Sequence, residues 1–412
     1  MKQDCKSNTV FPIIREALNA VNQINNKNCS LDDFLDFKLS DKNLRKIISH
    51  LLLSYFRHRQ LIDDFLQQNL KKSNQSIREY LSMAISHTKY QTGISAESSV
   101  NAWVEFSKRQ YSSGFSKLVN AILRKALQCK ELEKTALPKT IADRWEKSFG
   151  NEFVREMNNL YGEYAPFTFR CALNFELDTE FLQEINGREI LLENNVFHWY
   201  QAENIKAVLE SNYLKEGKIY IQDCATAFAT SLLAKHELKP KNLIDLCGAP
   251  GGKAIMASEI FNNQLKMTVL DKSAKRQELT KRNFACRNLA AEILVADAAE
   301  FQSKEKYDIV IADVPCSNSG VFRKRPDALW RLNEESILEV AEIQKNILAN
   351  AAQLCAENGV ILYSTCSIEE LEDQEQLRKF LTEHPQFELL SEQLVLPDKL
   401  IDGAYSALLH KK

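Results

Sequence analysis

Two short segments place a cysteine where a strand should end. "ADVPCSNSG", Ala312 to Gly320, follows the apolar run Ile309–Ile311 and leads into the basic stretch "VFRKRPDALWR". Later, "VILYSTCSIEE" repeats the design, an apolar run and then a loop carrying Cys366. Cysteine is often a small buried hydrophobe, and Cys171, Cys286 and Cys355 are read that way. Cys316 and Cys366 differ, because each leaves a strand into a polar loop of small residues where a substrate can reach sulfur. A thiol is only a few per cent ionised at neutral pH, yet it is strongly nucleophilic.

A third segment, "DLCGAPGGK", reads as a strand, a glycine-rich turn and a helix. Gly248, Gly251 and Gly252 let a ligand approach the backbone at a helix N-terminus. The loop is not a phosphate-binding Walker loop: Cys247 stands five before Gly252, and Ala254 replaces the metal-binding Ser or Thr. Nor is it G-x-G-x-x-G, since Pro250 takes the second glycine position. Asp271 closes the next apolar run at the distance where α/β folds place a carboxylate against a ribose. A ribose without phosphate selectivity suggests an adenosine cofactor such as S-adenosylmethionine, and Asp297 could accept from an adenine amino group. Two thiols, an aspartate and such a cofactor suggest one nucleophile, one group assisting release and one acid.

These residues need a scaffold that brings strand ends together. The apolar runs "NLIDLC", "KMTVLD", "EILVAD", "YDIVIAD" and "GVILYST" alternate with helical stretches from Gly217 onward. That alternation predicts a parallel sheet covered on both faces, with ligands at the carboxyl ends of its strands. Asp245, Asp271, Asp297, Asp313 and Cys366 all fall at or near those ends. The first third reads instead as helices, with no glycine or proline between Pro12 and Gly93. Ser40/Asp41 reads as a cap before a stripe of Leu44, Ile48, Leu51 and Tyr55. "GFSKLVNAILRKAL" sets Phe115, Leu118, Val119, Ile122 and Leu123 on one face, with Lys117, Arg124 and Lys125 outside.

At 412 residues the chain is long enough for two or three domains. The expected division is an all-helical domain over 1–135, a linker and small α/β unit over 136–215, and a catalytic α/β domain over 216–412. The net charge of −2 hides an asymmetry. Residues 1–150 carry 24 Lys and Arg against 15 Asp and Glu, and the remainder 29 against 40. A basic front half predicts a polyanion-binding module on an acidic body, and Arg323 and Arg325 are expected to add phosphate contacts beside the Cys316 loop. No apolar run has membrane-spanning length, and the start of the chain lacks the apolar stretch of a secretory signal. Ten cysteines without a C-x-x-C pair argue for free thiols and against a zinc or disulfide framework. A cytoplasmic monomer with no bound metal and no membrane contact is expected.

"DLCGAPGGK", "DVPCSNSGVFRKRPDALW" and "YSTCSIEE" resemble the glycine loop, Pro-Cys motif and Thr-Cys motif of RNA cytosine-C5 methyltransferases. "GFSKLVNAILRK" and the helices before it resemble the antiterminator NusB. The pairing is similar to the Sun/RsmB family, which methylates 16S ribosomal RNA of the small subunit, and the likeness extends to "GKIYIQDCAT" and "DGAYSALL". It implies a Rossmann-like S-adenosylmethionine-dependent domain behind a NusB-like helical domain. By the same resemblance, Cys247, Gly248, Ala249, Pro250, Gly251, Gly252, Lys253, Asp271, Asp297 and Asp313 would bind the cofactor or border its pocket. Cys366 would be the nucleophile that adds to cytosine C6. Cys316 would assist loss of the C5 proton and release, Asp313 would hydrogen-bond the base, and Pro315 would shape the turn. The chain departs from the family pattern at Gly248, Ala254, Asn318 and Ala404, and "DKSAKR" lacks the usual proline; none of these removes a catalytic group. The same reaction on transfer RNA, or a catalytically inactive RNA-binding factor, are the alternatives.

Overall fold

The computed structural model describes residues 4–26, 29–39, 41–70, 73–91, 93–193 and 195–412. Its contacts divide the chain into two units, one of residues 1–164 with 322–333, the other of residues 165–321 with 334–412.

The first unit is helical. Helices at Lys42–Asn69, Gln75–Tyr90, Ala96–Gln110 and Ser113–Gln128 each begin on a side-chain cap, namely Asp41, Asn74, Ser95 and Ser112. Each cap accepts a backbone N–H that the first helical turn leaves without a partner. Asp41 is therefore the cap, and Ser40 lies outside the described residues. The predicted stripes face inward: Ile48, Leu51, Tyr55, Val119, Ile122 and Leu123 are buried, while Lys117, Arg124 and Lys125 are exposed.

The helix Lys139–Tyr161, broken at Gly150 (φ 85°), belongs to this unit, so the unit runs past the boundary expected at 135. The second piece of chain, 322–333, completes it. Phe322 is fully buried, its ring 5.7 Å from that of Trp145 and 6.0 Å from that of Tyr161. Trp330 donates to the carbonyl of Phe56 (2.9 Å), and Leu31 N–H donates to Asp327 (3.2 Å). This corrects the reading of Arg323, which is 1% exposed, with its carbonyl accepting from Arg57. It is a structural part of the helical unit, where a basic run on a loop had suggested a phosphate contact. Arg325, about half exposed, is paired with Asp32 at 2.9 Å.

The second unit holds two sheets. Strands β1 (Thr168–Cys171), β2 (Arg188–Ile190), β3 (Trp199–Gln201) and β4 (Ile219–Ile221) form an antiparallel sheet in the order β2-β3-β1-β4. The main sheet comprises β5 (Asn242–Asp245), β6 (Lys266–Asp271), β7 (Glu292–Val295), β8 (Tyr307–Asp313), β9 (Cys355–Thr365), β10 (Phe387–Val395) and β11 (Ala404–Lys411). Its order is β10-β11-β9-β8-β5-β6-β7, with β5 to β9 parallel and β11 antiparallel to both its neighbours. The five expected strands are all present, and the carboxy-terminal hairpin is the addition.

The strands read as unbroken apolar runs because both faces are covered. Ile244, Leu270, Val310, Ile361 and Tyr363 pack in one layer; Leu243, Val269, Ile309, Ile311 and Leu362 pack in the other. The chain reverses direction across the sheet between β5 and β8, the switch point where such sheets open a crevice. Asp245 and Asp313 end those two strands. Among the described residues no helix is long and apolar enough to cross a membrane.

If phosphates bind the exposed basic face of Ser113–Gln128, replacing Lys117, Arg124 and Lys125 together by Glu should flatten the salt dependence of RNA affinity. About 0.7 of log–log slope is lost per single-strand phosphate contact, so the slope should drop by about 2. Binding titrations of the full chain across salt measure it, and an unchanged slope places the RNA contact elsewhere.

Candidate active site

The glycine loop owes its sequence to how tightly it is held. Gly248 N–H donates to the carbonyl of Leu270 (2.7 Å), and a Cβ at Gly248 would lie 2.6 Å from the Asp245 carboxyl carbon. Gly251 has a φ of 99°, and a Cβ there would meet the Phe284 ring at 2.7 Å. Left-handed backbone and no room for a side chain both demand glycine. Asn283 anchors the loop's far side by donating to the carbonyl of Pro250 (2.8 Å), in a loop whose Ala249–Pro250 bond is cis.

Lys253, in the first turn of the helix Gly252–Ile260, pairs with Asp313 at 2.7 Å. The other Asp313 oxygen accepts from Ser364 Oγ at 2.8 Å, its partner residue across β8 and β9. Burial works against the Lys253 charge, but Asp313 and then Asp245 outweigh it, and its pKa is raised. Asp245, almost fully buried, has its carboxyl pushed up to about 8, first by burial and then by Asp313. Its Oδ1 has no hydrogen-bond partner. It lines a cavity of about 550 Å³ with Tyr220, Gln222, Pro250, Lys253 and Asp313. Buried oxygens without partners are rare and costly, so this one is suited to a donor from a ligand. The sequence had marked Asp245 only as a strand end.

Asp271 ends β6 and Asp297 lies two residues beyond the end of β7, next to it in the sheet, with Ala296 N–H donating to the carbonyl of Asp271 (3.2 Å). Asp271 is 5% exposed; it accepts from Ser273 N–H (2.8 Å) and lies 3.3 Å from Arg276. Asp297 accepts from Ala299 N–H (2.9 Å) and pairs with Lys272 (2.8 Å). The Lys272 hydrogen bond, followed by that N–H, holds its carboxyl below the usual range. Cys247, at the head of the loop, has its thiol pushed up by burial and by the Asp245 and Asp313 charges.

The loops after β8 and β9 meet. Cys316 Sγ and Cys366 Sγ are 3.0 Å apart, although fifty residues separate them in the chain. Cys366 Sγ donates to Asn318 Oδ1 (3.2 Å), while Asn318 Nδ2 donates to the Cys316 carbonyl (2.9 Å). Asn318 has a φ of 63°. That left-handed turn explains both the glycine of the family pattern and why asparagine, which tolerates it best among larger residues, can replace it. The Cys316 thiol is held well above its ordinary pKa, first by its hydrogen bond with Cys366, then by burial and by the charges of Cys366 and Glu372. Cys171 and Cys355 are buried as expected, both pushed up to about 12 by burial. Cys286 is half-buried on the cavity wall, donating to the carbonyl of Asn283.

Sheet order, glycine loop and strand-end carboxylates define a Rossmann-like methyltransferase that uses S-adenosylmethionine, joined to a NusB-like helical domain. Residues 231–408 match the 16S rRNA methyltransferase RsmB/F family, and residues 13–128 match the NusB family. A probable ribosomal RNA small subunit methyltransferase B of Bacillus subtilis is 25% identical over 88% of this chain and 86% of its own. The ribosomal RNA small subunit methyltransferase B of Thermus thermophilus is 31% identical over 70% and 66%. Among solved structures, PH0851 superposes with a TM-score of 0.72 at 22% identity, covering 96% of this chain and 98% of that one. NSun6 from Pyrococcus horikoshii, solved with SFG, gives 0.58 at 15% identity, covering 67% and 98%. The chain belongs to the RsmB/Sun methyltransferase family.

The thiol pair makes its own prediction. Cys366→Ala removes the first cause that raises the Cys316 pKa, so that pKa should fall. More Cys316 is then thiolate at any pH below it, and alkylation by iodoacetamide should speed up. Peptide-resolved mass spectrometry across pH reads this out; an unmoved midpoint would leave burial and the Glu372 charge as the causes.

Proposed function

We propose that this chain methylates C5 of a cytosine in 16S ribosomal RNA through a covalent bond between Cys366 and C6 of the base. The observation that carries this reading is the 3.0 Å approach of two thiols beside the switch-point cavity. Cytosine C5 is too electron-poor to take a methyl group directly. A thiolate adding to C6 turns the ring into an enamine whose C5 is nucleophilic. Cys366 is assigned that addition.

The cavity residues fit S-adenosylmethionine: the unpartnered buried oxygen of Asp245 suits the ammonium of an amino acid moiety, and the loop from Cys247 to Lys253 has glycines where a backbone must come close. Asp271 would take the ribose hydroxyls and Asp297 the adenine edge, with Gly248, Ala249, Pro250, Gly251 and Gly252 as walls. When bound, the cofactor supplies an electrophilic methyl group. Asp313, already held by Lys253 and Ser364, would accept from the base amino group and fix the ring's orientation.

The roles of the two thiols are those the family resemblance implies, and the surroundings of Cys316 fit its part. Before attack Cys316 is a neutral thiol next to Cys366. Once Cys366 sulfur is bonded to C6, its hydrogen bond and its charge are both gone. Burial and Glu372 remain, and the Cys316 pKa comes down. Cys316 can then give up its own proton to water and, as thiolate, accept the C5 proton when that has to leave. Loss of that proton re-forms the C5–C6 double bond, and the C6–S bond breaks with its electron pair returning to Cys366 as thiolate. A base must leave its stack to reach these loops, so a single-stranded target is favoured over a paired one. The small-subunit relatives favour ribosomal over transfer RNA as substrate.

Each variant is tested with S-adenosylmethionine and labelled RNA on denaturing gels. Cys316→Ala should accumulate a slow-migrating protein–RNA adduct, whereas Cys366→Ala and the double variant should give none. The opposite pattern would exchange the roles, and adducts with neither would remove the covalent route. Separately, Asp271→Ala should weaken cofactor binding at least about tenfold by calorimetry, since two charge-assisted hydrogen bonds are each worth about 1.5–3 kcal/mol. Unchanged affinity would place the ribose elsewhere.

A further inference from the structure

Beneath the two cysteine loops lies a carboxylate to which neither the sequence nor the proposed reaction gives a part. Glu372 is fully buried. One of its oxygens accepts from Ser317 N–H (2.8 Å), the residue after Cys316, and from Gln344 Nε2 (3.0 Å). The other accepts from Ser367 Oγ (2.9 Å), the residue after Cys366. Gln344, reaching in from the helix Glu334–Leu354, also donates to the carbonyl of Pro315 (2.9 Å), the residue before Cys316. Both flanks of one cysteine and one flank of the other therefore converge on a single carboxylate–amide pair. The base of the clamp is fixed in turn: Tyr363 Oη donates to the Glu372 carbonyl (2.6 Å).

A buried carboxylate is expensive, and burial pushes the Glu372 pKa up even against its three hydrogen-bond donors. An apolar side chain would fill the same space without that cost. What it could not do is accept from two loops at once. We infer that Glu372, with Gln344 as its second arm, is a positioning residue that sets the distance between the thiols of Cys316 and Cys366. This rests on the proposed reaction for its purpose, while its geometry can be tested without RNA. In that reaction the distance matters for release more than for attack. Cys366 can add to C6 unaided, but the thiol that helps the enzyme leave must stay within reach of the same ring.

The ruler is disulfide formation. Diamide takes two electrons and two protons from a thiol pair, becoming a hydrazine as the S–S bond forms, and the rate, corrected for the thiolate fraction found by alkylation across pH, reports how often the sulfurs meet. Peptide mapping of the full chain isolates the Cys316–Cys366 crosslink from the other eight cysteines. Glu372→Ala and Gln344→Met should each slow that crosslink at least about tenfold relative to wild type. Glu372→Gln, which keeps an oxygen for Ser317 N–H and Gln344, should stay within about threefold, separating the bridge from its charge. Two variants on different elements guard against one that fails to fold, and melting curves identify such a failure. In single-turnover reactions with RNA, Glu372→Ala with both cysteines intact should form adduct near the wild-type rate and resolve it at least about tenfold more slowly. Crosslinking at the wild-type rate in both Glu372→Ala and Gln344→Met would overturn the inference, as would attack and release falling by the same factor. If no RNA adduct forms even in Cys316→Ala, the proposed reaction fails while the crosslinking rates still judge the clamp.

Discussion

The Lys253–Asp313 ion pair is the constraint around which the second unit's site is arranged. β5 and β8 are neighbours in the sheet, so their terminal carboxylates, Asp245 and Asp313, point into one crevice. Burial first, and then the charge of Asp313, raise the Asp245 pKa there. Lys253 comes from the turn after β5 and lies against the end of β8, so a single cation serves both carboxylates and ties the glycine loop to the strand that delivers Cys316. Without it the crevice would hold uncompensated negative charge at low dielectric. The arrangement keeps a cost even so. Asp245 is easier to protonate folded than unfolded, so its contribution to stability falls as pH rises from the ordinary carboxylate range toward about 8. A ligand cation at its unpartnered oxygen would offset that cost.

Around this pair the site sorts its acids and thiols by exposure. Asp271 and Asp297 are each met by a backbone N–H and a basic side chain. Burial pushes the thiols of Cys247, Cys171 and Cys355 up. Cys316 is held neutral chiefly by the neighbour with which it would cooperate.

What the sequence disclosed follows from how each feature is encoded. The parallel strands were legible because burial on both faces leaves no polar alternation to blur them, and the cysteine loops because a thiol after an apolar run is an uncommon juxtaposition. The hairpin of β10 and β11 was harder to see: β10 runs "FELLSEQLV", exposed enough that its pattern is mixed. Arg323 misled because local composition cannot report that Phe322, one residue earlier, is already buried among Trp145 and Tyr161. Glu372 and Gln344 were invisible for a related reason. Each is an ordinary polar residue in a helical or loop stretch, and only the packing of separate elements makes them partners.

The route of the backbone has a consequence for how such a chain can be cut or shuffled. Because Phe322–Asn333 is wrapped by residues from the first 164, the helical unit cannot be removed as one continuous stretch of gene. A transcript beginning after residue 164 would still encode Phe322, Ala328, Leu329 and Leu332, all buried in the intact chain. Stripped of their covering they would form a sticky tract just downstream of Cys316, open to self-association and to proteolysis. The two units are thereby inherited together: a lineage that discards the helices must also rewrite the dozen residues that follow its Pro-Cys loop.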